Sequence, residues 1–284
     1  MAKQLLGKEV NADLNQQIID RVNALKEKGV VPTLGIIRVG EKDADLSYER
    51  GATKRCEKLG VEYKKFVFPE NVSQEELMGA IDQVNKDSSI HGVLIFRPLP
   101  KTLDEKAVIA ALDPEKDIDG ITDGSMVGVY TGQKKGFPPC TAQAVMEILR
   151  HYQVDLKGKK AVVIGRSLVI GKPAAMMLLK QNATVTICHT KTKDMAAEAR
   201  EADVLVVAAG HRDVVDDTFV RPGQIVIDVG INVNDEGKLC GDVSYDKVEP
   251  IVDAITPVPG GVGSVTTSVL VSHVVEAAER SLEK

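Results

Sequence analysis

The stretch from Lys160 to Leu179, KAVVIGRSLVIGKPAAMMLL, constrains the fold of this chain more than any other. Residues 161–164 form a short apolar, β-branched run, the pattern of a strand buried on both faces in a parallel sheet. Gly165 ends the run, Arg166 and Ser167 follow, and beyond Gly171 and Pro173 an Ala/Met/Leu run has helical character. Strand, glycine turn and helix in that order are the first half of a βαβ unit, whose helix N-terminus offers backbone N–H groups to a phosphate. The interval from Gly165 to Gly171 is not the G-x-G-x-x-G spacing, so the stretch alone also fits a plain βα turn. A second strand, 183–187, follows at βαβ distance. It ends in Cys188-His189-Thr190, with no Asp or Glu to accept a ribose hydroxyl. Arg166 in the turn and Thr190 after the second strand suit the 2′-phosphate of NADP better than the bare ribose of NAD, with NAD still possible.

The same alternation runs through the N-terminal half. The pattern predicts helices over 13–28 and 46–59, strands over 33–39 and 61–68, a helix opened by the capping box Ser73-Gln74-Glu75-Glu76, a strand over 91–96 and a short helix over 103–112. Residues 117–136 are polar and glycine-rich without a period and read as a loop carrying Asp119-Gly120. A helix over 142–150 follows Pro138-Pro139-Cys140-Thr141. Further strands are expected at 204–208, 225–229 and 254–256, with helices over 173–180, 194–200 and 267–282. Strands alternating with helices mean parallel sheet, and 284 residues are room for two domains. The expected class is α/β in two domains: residues 1–138 with a returning C-terminal helix, 267–284, and a Rossmann-type domain over 139–266.

Composition narrows the partners. A net charge of -5 with no basic tract argues against nucleic acid and anionic membrane, and no apolar run approaches a membrane span. The four cysteines are scattered and show no metal-ligand spacing, which predicts reduced thiols in a cytoplasmic protein and no metal site.

Nine ordered motifs then carry a resemblance: Tyr48 in a helix ending CEKLG, GVLIFRPLP at 92–100, KDIDG at 116–120, PPCT at 138–141, GRSLVIGKP at 165–173, CHTKT at 188–192, DVGIN at 228–232, GDV at 241–243 and PVPGGVGSVT at 257–266. Over nearly its whole length the chain resembles the methylenetetrahydrofolate dehydrogenase/cyclohydrolase family. The resemblance implies a folate domain and an NADP domain with a cleft between them, a homodimer, and NADP-dependent oxidation of 5,10-methylenetetrahydrofolate to the methenyl form. It implies that Tyr48 stacks near the substrate's aminobenzoate ring and that Asp119 accepts hydrogen bonds from the pterin. Gly260 and Gly261 would let backbone approach the ligand, and Gly165, Arg166, Ser167, Thr190 and Ile231 would contact the dinucleotide.

Two positions depart from the family pattern. Bifunctional members carry a lysine four residues after the tyrosine, on the same helix face, and a glutamine in the strand before Pro-x-Pro. Here those positions are Ala52 and Phe96. Lys54 is six residues on, turned about 120° away at ~100° per residue, and matches a second, non-catalytic lysine of the family. Arg55 stays protonated and is a poor base. The expectation is a dehydrogenase with weak or absent cyclohydrolase activity. The alternatives are a fully bifunctional enzyme making 10-formyltetrahydrofolate and a non-catalytic folate or nucleotide sensor; another two-domain dehydrogenase is the outside choice. Read without the family, Tyr48 is a half-buried helix residue, Asp119 a turn former, Phe96 strand core and Lys54 a solvated charge. His91, His151, His211 and His273 show no partner in the sequence, and Cys140 is given no chemistry.

Overall fold

The computed structural model describes residues 1–283, so Lys284, the end of the expected C-terminal segment, lies outside them. The chain forms two compact units, Met1–Ala12 with Thr141–Thr266 and Asp13–Cys140 with Thr267–Lys284.

In chain order, β1 (Lys3–Gln4) precedes α1 (Gly7–Glu27), then β2 (Thr33–Val39), α2 (Asp43–Leu59), β3 (Glu62–Phe68), α3 (Gln74–Lys86), β4 (Gly92–Ile95), α4 (Glu105–Ala111), α5 (Asp123–Thr131) and α6 (Cys140–His151). The second half runs β5 (Lys160–Ile164), α7 (Gly171–Lys180), β6 (Thr184–Cys188), α8 (Met195–Arg200), β7 (Val204–Val207) and β8 (Ile225–Asp228). It closes with β9 (Asn232–Val233), β10 (Leu239–Cys240), α9 (Tyr245–Val248), β11 (Ala254–Ile255) and α10 (Thr266–Ser281).

The second of the two units, called the smaller unit for its sheet alone, holds a parallel sheet in the order β3-β2-β4. Every residue of the central strand β2 is buried, whereas the edge strand β3 exposes Glu62, Lys64 and Lys65; charge on an edge discourages further pairing. Leu77, Ile81 and Val84 from α3 pack with Ile37, Ile95 and Val108 into one core. The capping box that opens α3 is formed, with Ser73 and Glu76 bonded reciprocally.

The first, called the larger unit for its sheet alone, holds a six-stranded parallel sheet, β1-β11-β8-β7-β5-β6. The chain leaves β5 for β6 on one side and returns to β7 on the other. Strand order therefore reverses at β5/β7, and the carboxyl ends there bound the crevice in which such sheets bind ligands.

Against the expectations from sequence, the structure adds one strand and corrects two elements. Residues 1–12 cluster with Thr141–Thr266, where β1 pairs with β11 and extends that sheet. A two-residue strand carries no readable period. The stretch 117–136 is not all loop, since it contains α5. The segment DGSMVGVYT has no apolar stripe; its start is fixed by polar groups instead. The buried Asp117 carboxylate accepts from Ile121 N at 3.0 Å and from Thr122 N, Thr122 Oγ1 and Ser125 Oγ at 2.7 Å, and Thr122 caps the helix. Lastly, α1 begins at Gly7 rather than Asp13, because its buried stripe runs back through Val10.

Candidate functional site

On the larger unit the crevice is built by the absence of side chains. Gly165 has φ +125°, and a Cβ there would lie 2.2 Å from the Ala208 carbonyl oxygen at the end of β7. A Cβ on Gly171 would lie 2.2 Å from the Gly165 carbonyl oxygen. The two glycines let the turn, the first turn of α7 and the end of β7 meet. Ser167 braces the turn that enters α7: its hydroxyl accepts from Ile170 N at 3.1 Å and its carbonyl from Lys172 N at 3.0 Å. The hydroxyl keeps its own proton for a ligand oxygen. Because Ile164 pairs with Cys188, Arg166 and Thr190 follow neighbouring strands at matching distance, and both are exposed. His189 accepts from Lys191 N through Nδ1, so it serves that turn.

Beyond β8 the exposed Ile231 lies between Gly230 and Asn232, which two buried carboxylates hold. Asp228 accepts from Gly230 N, Asp242 N and Val243 N, yet burial pushes its carboxyl up to about 6. Asp242 accepts from Ala209 N, Gly210 N and Asn232 Nδ2, joining the ends of β7 and β8. Gly260 and Gly261 lie on the same unit. Gly260 accepts from Gly7 N at 2.8 Å, and Ser264 Oγ donates to Gly261 O at 2.7 Å.

On the smaller unit α2 carries Tyr48 and Ala52. Its neighbour Glu49 is buried against Arg38 Nε and Lys65 Nζ, each at 2.8 Å. Burial works to raise the Glu49 pKa, but the hydrogen bonds from Lys65 and Arg38 outweigh it and hold the carboxyl below its usual range. This pins the helix face that presents Tyr48. The Tyr48 ring meets Phe96 edge to face, centroids 5.9 Å apart. Ala52 is 0% exposed, so no side chain extends from that position. Lys54 is exposed. Arg55 is partly buried, with Nη1 3.4 Å from Asn15 Oδ1, and desolvation lowers its pKa.

Asp119 sits in a tight turn. Gly120 has φ +66°, and a Cβ there would lie 2.5 Å from the Pro139 nitrogen. Burial pushes the Asp119 carboxyl up to about 6, opposed by a hydrogen bond from the Cys140 side chain and by the positive charge of Arg97, while Asp117 adds to the rise. The sequence reading missed the groups around it. Cys140 is buried against Asp119, and its Sγ lies 3.3 Å from Ile118 O. His273 of α10, which has no visible partner in the sequence, brings Nδ1 to 2.8 Å from the same carbonyl oxygen. No local pattern could reveal this, because the histidine lies far along the chain from both groups.

The raised carboxyl yields a sign-definite expectation. A folded pKa near 6 against about 3.9 unfolded means that the stabilising contribution is complete below pH ~4 and is lost as pH rises through 6. At pH 7 the native protein therefore carries the cost of a partly desolvated charge. The variant Asp119→Asn is expected to be more stable than the parent at pH 7 by roughly 1–2 kcal/mol, the difference vanishing near pH 4. Urea unfolding at the two pH values checks this.

Among the described residues no group of three or more His, Cys, Asp or Glu is placed to hold a metal, and no helix is long and apolar enough to cross a membrane. Fold and site together define a two-domain nucleotide-binding α/β protein of the dehydrogenase type. Residues 5–119 match the family model "Tetrahydrofolate dehydrogenase/cyclohydrolase, catalytic domain", and residues 139–282 match "Tetrahydrofolate dehydrogenase/cyclohydrolase, NAD(P)-binding domain". The "Bifunctional protein FolD" of Carboxydothermus hydrogenoformans is 53% identical over 281 residues, 98% of each chain. Of solved structures, the bifunctional FolD methylenetetrahydrofolate dehydrogenase/cyclohydrolase of Campylobacter jejuni superposes with a TM-score of 0.95 at 38% identity over 99% of each chain. The Trypanosoma brucei enzyme complexed with NADP and inhibitor has a TM-score of 0.91 at 33% identity, covering 100% of this chain and 99% of its own. This chain belongs to the tetrahydrofolate dehydrogenase/cyclohydrolase family.

Proposed function

We propose that the chain oxidises 5,10-methylenetetrahydrofolate to 5,10-methenyltetrahydrofolate with NADP, as a cytoplasmic homodimer. The observation that carries this reading is the presence in one chain of Tyr48 and the Asp119 turn on one unit and the Gly165 crevice at the switch point of the other. NADP, when bound, supplies the nicotinamide that takes the hydride. The crevice fits a dinucleotide: Gly165 and Gly171 leave room for close backbone approach, and Ser167 retains a donor. Arg166 and Thr190 are exposed where a 2′-phosphate would be met. Asp119 accepts from the amino and ring N–H groups of the pterin, and Tyr48 lines the aminobenzoate with Phe96 packed against it. The folate nitrogens stabilise the cation formed when hydride leaves, so the protein's task is orientation rather than proton transfer.

Cyclohydrolysis does require a proton carrier. Ala52 and Phe96 support weak or absent hydrolysis, since neither side chain transfers a proton or forms a hydrogen bond. The relatives' names favour the second reading, a bifunctional enzyme that goes on to 10-formyltetrahydrofolate. A paired assay on one preparation separates the two: NADP-dependent oxidation of methylenetetrahydrofolate, then hydrolysis of supplied methenyltetrahydrofolate above the buffer rate. Oxidation alone supports the first reading. Both activities support the second and direct mutation to Arg55 and Lys54. Neither activity, with both ligands bound, overturns the enzyme in favour of a sensor.

A further inference from the structure

On the smaller unit two buried groups, the Ile118 carbonyl and the Cys140 thiol, and the partly buried Asp119 carboxylate share too few protons. The Ile118 carbonyl oxygen lies 3.3 Å from Cys140 Sγ, and the Asp119 carboxyl is lowered by hydrogen bonding from the Cys140 side chain and backbone; both are acceptors, and the thiol has one proton. His273 Nδ1 lies 2.8 Å from the Ile118 carbonyl oxygen and 3.8 Å from Cys140 Sγ. A carbonyl oxygen cannot donate, so Nδ1 carries the hydrogen in that contact. The ring is 5% exposed and packs on Phe137 with centroids 5.2 Å apart, which fixes its plane.

We propose that His273 is a positioning residue for the substrate-binding carboxylate: by satisfying the Ile118 carbonyl it leaves the Cys140 proton for Asp119. The inference rests on the assignment of Asp119 to the pterin. Without the imidazole N–H, the thiol proton turns to the orphaned carbonyl, because a buried unmet acceptor is costly. Asp119 then loses a donor to its charged form. The other charges acting on it, Asp117 in the same turn and Arg97 after β4, stay in place. Loss of a donor raises a carboxyl pKa, so the ionised form that accepts from the pterin is reached only at higher pH.

The discriminating pair is His273→Leu and His273→Asn. Leucine keeps bulk at the branch but has no donor. Asparagine puts an amide nitrogen on Cγ, at the same bond distance from the backbone as Nδ1. The leucine variant is expected to raise KM for methylenetetrahydrofolate on the order of tenfold, the scale of one lost hydrogen bond to a charged group. Its kcat should change little and its NADP Kd not at all. The acid limb of its kcat/KM profile should move to higher pH. Asparagine should restore both KM and the limb. Should the leucine variant not fold, His273→Gln keeps polarity but moves the donor one bond outward, and the same selective KM rise is expected. Equal losses with Leu and Asn, or a KM rise with an unmoved acid limb, would mean His273 is only core packing. Asp119→Asn separates the two levels: if it leaves the folate KM unchanged, the role of Asp119 itself is wrong. If it raises KM while His273→Leu does not, only the positioning role falls.

Discussion

Gly165→Ala is expected to remove NADP binding and to lower the thermal midpoint by roughly 6–12 °C, the equivalent of about 3 kcal/mol in a chain of this size. Two effects add. The φ of +125° is one that side chains rarely adopt. The new methyl group would also sit 2.2 Å from the Ala208 carbonyl oxygen. That backbone cannot give way cheaply, because Ala208 N donates to Ile164 O at 2.7 Å and Asp242 holds the next two amides. Gly158→Ala is the control. Its φ is +74° with nothing within 4 Å of a built Cβ, so it reports strain without collision, at a cost of about 1 kcal/mol. Calorimetric titration with NADP and thermal unfolding read the two variants side by side. Comparable midpoints for both would mean that the close approach of β5 and β7 is not what shapes the crevice.

How far the sequence revealed this molecule depended on the kind of force involved. Where burial on both faces or a local cap decides, as in β5 or at Ser73 before α3, the residues are readable in place. Where a distant partner decides, they are not. α5 starts because the Asp117 carboxylate collects donors from residues 121, 122 and 125, and its own two glycines hide any period. β1 exists because the edge of the larger sheet is available to a two-residue segment. Among the residues proposed to meet substrate, motif resemblance singled out Tyr48, Asp119, Ala52 and Phe96. It gave no role to Cys140 or His273, which meet in a contact across 133 residues of chain. The edge-to-face packing of Phe96 on Tyr48 likewise turns two separate motifs into one surface.

That packing governs the other large effect, the expected gain of methenyl hydrolysis in the double variant Ala52→Lys with Phe96→Gln. Position 52 lies one helical turn from Tyr48, so a lysine there would share its face. It would also start from a fully buried Cβ. A lysine in that setting needs a partner, since burial without one disfavours the ammonium form and leaves its position unfixed. In the present chain the ring packed on Tyr48 is that of Phe96, which offers no acceptor. The single Ala52→Lys variant is therefore expected to gain little and to lose stability. Glutamine at 96 supplies an amide oxygen to hold the ammonium and opens space beside Tyr48. With both in place, hydrolysis of supplied methenyltetrahydrofolate should rise by roughly 10²–10⁴-fold over the parent, the range of a positioned general acid–base group. An unchanged NADP Kd would show that the larger unit is intact in each variant. If the parent already hydrolyses rapidly and the double variant adds nothing, positions 52 and 96 are not the seat of the second activity. The bifunctional reading then stands, and Arg55, partly desolvated on the same helix, becomes the first group to replace.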